Sequence, residues 1–270
     1  MERDFSLSIQ THRARAAVVK VFLFRFLNYS FASLTKKVLA FIAFIFFVTP
    51  SYTQSITDHE IGYWFRYFNQ TKLNQRWSWH TEIDERRLIN PDRQSQFFMH
   101  THVHYTPNKK FDMAAGFNFN QTKRTNGLLI SEWRPWQEIS FTPELKSRIK
   151  LSIRYRLDER FIRRATGSDL EHGYNFNLRH RFRIQAASTL NKKENITLRL
   201  SDEVMVNSGG NADLFDQNRI YLGADFKLTK KCSLEVGYLN QIVLRSDHFV
   251  MFNVIRTTFW HKLNWKKDQR

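Results

Sequence analysis

From residue 54 onward, apolar and polar residues alternate almost strictly. The stretch "FFMHTHVHYT", residues 97–106, puts Phe97, Met99, Thr101, Val103 and Tyr105 on one parity and His100, His102 and His104 on the other. Successive side chains of a β-strand point to opposite faces, so the histidines share one face and the apolar residues the other. "IKLSIRYRLDERF" sets Ile149, Leu151, Ile153, Tyr155, Leu157 and Phe161 against Lys150, Ser152, Arg154, Arg156, Asp158 and Arg160. "YNFNLRHRFRIQA" repeats the pattern, with Arg179, Arg181 and Arg183 on its polar side. Eleven such strands are predicted, near 60–69, 76–86, 96–106, 111–122, 132–142, 148–162, 172–188, 195–207, 218–228, 232–244 and 248–261. No stretch after residue 54 carries a helical period.

Strands of about ten residues or more that alternate greasy and polar side chains describe a transmembrane β-barrel. A closed barrel is one of two structures that satisfy every backbone group in lipid. The fold class expected is therefore all-β, a single antiparallel up-and-down barrel over residues 54–263, with residues 264–270 a basic tail. Single-chain bacterial barrels normally have an even number of strands. Twelve strands are accordingly favoured over the eleven counted, with ten as the alternative. Short Lys-rich turns ("TPNKKF", "TPELKS", "LNKKEN", "LTKKC") alternate with longer polar stretches such as "RLINPDRQS" and "RRATGSDLEH". With the turns periplasmic, the first strand runs inward and its start lies outside. A soluble β-sandwich also alternates, but these strands are long and the aromatics too many for one core.

Ahead of the strands, Lys36 and Lys37 precede an apolar run from Val38 to Val48, then Pro50 and small residues before Gln54. This is the three-part plan of a secretory signal peptide, assigned to residues 34–53. The run is too short to span a bilayer as a helix. Translation is expected to start near Leu34, which leaves residues 1–33 as a leader upstream of the true start.

Composition changes the picture in two places. The 25 Phe, 9 Tyr and 7 Trp sit in a chain of mean hydropathy −0.51, which suits rings alternating with charges. One cysteine, Cys232, excludes an internal disulfide framework. The net charge of +17 raises nucleic acid as a partner. Removing residues 1–53 takes away 7 basic and 2 acidic residues and leaves 35 against 23. The placement of the charges then argues against nucleic acid, because a binding groove needs aromatics beside the basic residues, and here they occupy the opposite face.

In a barrel the polar face lines the lumen. The candidate site is a charge band of Arg154, Arg156, Asp158, Arg160, Arg179, Arg181, Arg183 and Glu203. Asp158 and Glu203 are expected to be held by the arginines, while Glu82, Asp84, Glu138 and Glu235 face the same lumen. Three histidines on one strand spread over about 13 Å, too far for one ion without help from a neighbouring strand, so no metal is assigned. No cofactor and no catalytic residue is assigned either: Ser201 points inward without a motif tying it to a histidine, and GxSxG is absent. Asp158–Glu159 and Asp202–Glu203 are sequence neighbours that point to opposite faces.

The order of these motifs resembles a bacterial family, the domain of unknown function 2490, over about residues 59–263. The resemblance is carried by "IGYWFRYFNQTKLNQRWSWHTEIDERR", "RPWQEISF", "LSIRYRLDERF", "LRHRFRI", "DEVMVN", "DQNRIYLGADFKLTKKCSLEVGYLNQ" and "HFVMFNVIRTTFW". It implies an exported barrel of the outer-membrane type and brings no activity or site residue. The chain departs from the family in its long leader and in the tail "KLNWKKDQR". The expectation is an outer-membrane barrel that is structural or a small-solute channel preferring anions. Its partners are outer-membrane lipid and the barrel-assembly machinery. The alternatives are an outer-membrane enzyme acting on lipid or envelope glycan, and an adhesin or receptor using its longer loops.

Overall fold

The computed structural model describes residues 56–265 apart from 146–147, 191–194, 211 and 246–247. The leader, the signal segment and residues 266–270 of the tail lie outside the described residues. Eleven strands follow one another: β1 (Ile56–Lys72), β2 (Trp77–Ile89), β3 (Asp92–Tyr105), β4 (Phe111–Lys123), β5 (Leu129–Phe141) and β6 (Ile149–Thr166). They continue as β7 (Asp169–Thr189), β8 (Ile196–Ser208), β9 (Phe215–Lys227), β10 (Cys232–Arg245) and β11 (His248–Asn264).

The strands close into one barrel in sequence order. Every consecutive pair is antiparallel, and β1 closes on β11 in parallel, from Ile56↔Phe249 to Lys72↔Asn264. The fold is the one the alternation predicts, with eleven strands among the described residues where twelve were favoured. Parity explains the difference. An antiparallel closure needs an even count, whereas a parallel seam removes that requirement. Arg66 and Tyr67 tie the seam, Arg66 Nε donating to Thr258 Oγ1 at 3.3 Å and Tyr67 Oη lying 2.9 Å from His261 Nδ1.

The outward face is apolar. Ile61, Tyr63 and Phe65 on β1, Leu198 and Leu200 on β8, and Ile220 and Leu222 on β9 are all exposed. A thirteen-residue strand such as β8 is about 43 Å long from its rise per residue. Tilted by roughly 40°, it reaches past an apolar band about 25 Å tall.

Two of the stretches expected as longer loops, those after β2 and β6, are mostly strand. β2 and β3 leave only residues 90–91 between them, and β6 and β7 only residues 167–168. Gly167, at φ +61°, supplies the left-handed conformation this tight turn needs. Alternation is absent from Asp169 to Gly173, where the start of β7 is exposed on both faces. Beyond the apolar belt neither face has to be greasy.

Candidate functional site

Alternation on three adjacent strands points the predicted charge band into the lumen. Register then sets which residues meet: Arg156 faces Arg181, Asp158 faces Arg179, and Arg183 faces both Arg154 and Glu203. Such a stack of guanidinium groups requires interleaved acids. Asp158, with no exposed surface, accepts from Arg156 Nε at 2.5 Å and Arg181 Nη1 at 3.5 Å. Glu203 takes Arg181 through both of its oxygens at 3.0 Å and also Arg154. Arg154 reaches a second acid, Glu138, at 3.3 Å. The two-oxygen grip of Arg181 is the planar fork geometry that makes guanidinium–carboxylate pairs strong.

The band extends beyond the residues picked from the sequence. Arg160 donates to Glu132 at 2.6 Å, and Glu132 also pairs with Arg134 at 2.9 Å. Arg179 pairs with Asp216 at 2.9 Å. A second cluster stands on β8–β11, where Glu235 forms an ion pair with Arg199 at 3.0 Å and accepts from Arg256 at 2.9 Å and the Tyr221 hydroxyl at 2.7 Å. Period two in "SEWRPWQE" puts Glu132 and Arg134 on one face, so their inward direction was legible, but their partners were not.

Contrary to the expectation that the aromatics occupy the face opposite the basic residues, several line the lumen and cover the flat faces of its arginines. Arg156 lies 3.9 Å from the Trp136 ring centroid, and Arg86 sits against Trp64 at 3.8 Å and Phe98 at 3.9 Å. Stacking of this kind is favourable for a weakly hydrated guanidinium. A small apolar cluster of Trp64, Tyr221, Leu239 and Val254 also faces inward.

A cavity of about 670 Å³ remains inside the wall. Its lining holds fourteen arginines against seven carboxylates, and no lysine. Four of the arginines, Arg124, Arg183, Arg219 and Arg245, have no carboxylate within ion-pair distance among the described residues. Arg219 donates only to Gln217, at 3.3 Å, and the buried Nε of Arg183 has no hydrogen-bond partner. Ser201 lines the same cavity and has no hydrogen bond to a histidine among the described residues.

The family model for proteins of unknown function, DUF2490, matches residues 61–251, most of the chain. The chain belongs to the DUF2490 family. The match spans β1 to the start of β11 and so includes the whole charge band. Among solved structures, the chain is similar to a NanC porin in a rhombohedral crystal form, at 13% identity and a TM-score of 0.44. That similarity covers 70% of this chain and 88% of the other. No curated protein matches the sequence.

Proposed function

We propose that this member of DUF2490 is an outer-membrane barrel whose lumen binds small anionic solutes and passes them across the membrane. One observation carries the reading: the cavity lining has twice as many arginines as carboxylates, and four of those arginines, Arg183 and Arg219 among them, lack an acid among the described residues. In a confined space of low dielectric, an uncompensated guanidinium attracts anions and repels cations. Arginine suits carboxylate and phosphate groups, because its fork offers two parallel donors. The outward belt of Ile, Leu, Phe and Trp supports the membrane location, since an arginine facing lipid at mid-bilayer costs about 2–4 kcal/mol. Asp158 and Glu203 brace the wall by neutralising the arginines that the pore does not use.

Planar-bilayer recording tests this. Wild-type protein should give discrete steps whose reversal potential in a salt gradient reports anion preference. Arg183→Gln with Arg219→Gln should move that potential towards zero without unfolding the barrel. No conductance from folded wild type, or a cation preference, would refute the proposal.

A further inference from the structure

The three histidines of β3 were too spread for one ion without help from a neighbouring strand, and β2 supplies that help. Antiparallel register sets His80 directly opposite His102, with His104 two residues further along the same face. One ring nitrogen from each of His80, His102 and His104 can be chosen so that all three lie within 4.8 Å of one another. His102 Nδ1 and His104 Nε2 are 2.9 Å apart. Two nitrogens on a tetrahedral zinc ion, each at about 2.0–2.1 Å, stand roughly 3.3 Å apart. A small ring rotation therefore separates this arrangement from a metal-binding one.

The atoms behind the rings point the same way. His102 Nε2 lies 3.2 Å from Glu82 Oε1, and His104 Nδ1 lies 2.5 Å from Asp112 Oδ1. Ser78 Oγ is 2.9 Å from His80 Nε2. Asp112 is itself held by the Thr106 hydroxyl at 2.8 Å. Each ring is thus oriented through one nitrogen by an oxygen, while His102 Nδ1 and His104 Nε2 face each other and His80 Nδ1 has no partner, which resembles the way metal-ligating histidines are supported. His80 completes the case. The ring is buried, with 6% of its surface exposed, and its Nδ1 has no hydrogen-bond partner. A buried polar atom left unpaired is costly and calls for an explanation. Room for the group comes from Gly116, where a Cβ would stand 2.4 Å from the His102 Cβ and 2.8 Å from Trp136.

A hydrolytic use of the Ser78–His80 pair fits less well. A serine nucleophile needs its histidine base oriented by a third group, and the far nitrogen of His80 has none.

We propose that His80 through Nδ1, His102 through Nδ1 and His104 through Nε2 form a three-histidine site for a divalent transition-metal ion of the zinc class. Imidazole donors suit zinc, copper and nickel and disfavour magnesium and calcium. The two carboxylates behind the rings offset the ion's charge, and three protein ligands leave a coordination position open to the cavity. This inference is independent of the anion-pore proposal.

The test uses folded, chelator-stripped full-length barrel in detergent, purified through a tag without histidine. Titration with Co²⁺ should give the visible absorption of a four- or five-coordinate ion at one equivalent, displaced by Zn²⁺. His102→Ala should weaken Zn²⁺ binding by at least about 100-fold, and Asp112→Asn by about 10–100-fold. His100→Asn, on the same face but hydrogen-bonded to Asn118, should leave it unchanged. X-ray absorption on the wild-type zinc form should count three imidazole ligands, and this stands even if an alanine variant does not fold. Failure of folded wild type to take up one equivalent overturns the proposal. So does an ion without imidazole ligands, or one retained at full affinity by folded His102→Ala.

Discussion

Glu203→Ala removes the acid that joins two arginines on neighbouring strands. Glu203 is buried, and it binds Arg181 at 3.0 Å and Arg154 beside it. Breaking a buried pair typically costs about 3–5 kcal/mol, because the remaining charge is left uncompensated. Here each arginine keeps a second acid, Glu138 at 3.3 Å for Arg154 and Asp158 at 3.5 Å for Arg181. The lower end, about 3 kcal/mol, is therefore expected. For a domain of this size about 1 kcal/mol moves Tm by roughly 2–4 °C, so the variant should melt about 6–12 °C below wild type. The control is Asp213→Ala. That side chain is exposed, and Asn207 binds only its backbone carbonyl, so the change should stay within about 0.5 kcal/mol. The assay is loss of the β-sheet circular-dichroism signal on heating in detergent, alongside gel migration with and without boiling. Losing a lumen acid should also make any conductance more anion-selective. If the two variants melt alike, the band is a set of solvated lumen charges and the bracing argument fails.

Two other expectations are independent of the charge band. At Gly223 an added Cβ would fall 2.1 Å from the Tyr221 hydroxyl and 2.6 Å from its Cζ, so Gly223→Ala should cost about 1–3 kcal/mol from overpacking. Thermal melts should show a much smaller cost in a Tyr221→Ala background, and equal costs in both backgrounds would rule out the contact. In a fractionated Gram-negative host, the protein should stay with the outer membrane after a carbonate wash and migrate differently on a gel before and after boiling. Recovery in the soluble periplasm would defeat the membrane location.

The sequence is legible where one face of a strand is constrained by lipid and the other by the lumen, and illegible where neither is. Over Ile149–Leu157 the outer face is apolar and the inner face must carry the charges, so the strand and the direction of each arginine are plain. Past Ile162 both faces meet water, the pattern lapses, and a long hairpin read as a loop. Partners were harder than directions. Nothing in "RWSWHTEIDE" says that His80 rather than Glu82 stands opposite His102, because register belongs to the pair of strands. Arg134 and Asp216 were missed as members of the band for the same reason. The strand count shows the opposite failing. Eleven alternating stretches are visible in the sequence, and only a general expectation of even numbers points away from eleven.

The parallel seam sets an order of events. Every other ladder joins strands linked by a short connection, which can pair as soon as both have left the unfolded chain. The seam instead joins partners such as Arg66 and Thr258, 192 residues apart. Bringing distant segments together carries the largest loop-closure entropy and is the slow step in folding. Parallel ladders are also slightly less stable per residue than antiparallel ones. β1 and β11 should therefore zip last, with their amides exchanging hydrogen sooner than those of β6 and β7. Until they do, the chain is an open curved sheet with two bare edges, each able to pair with another copy.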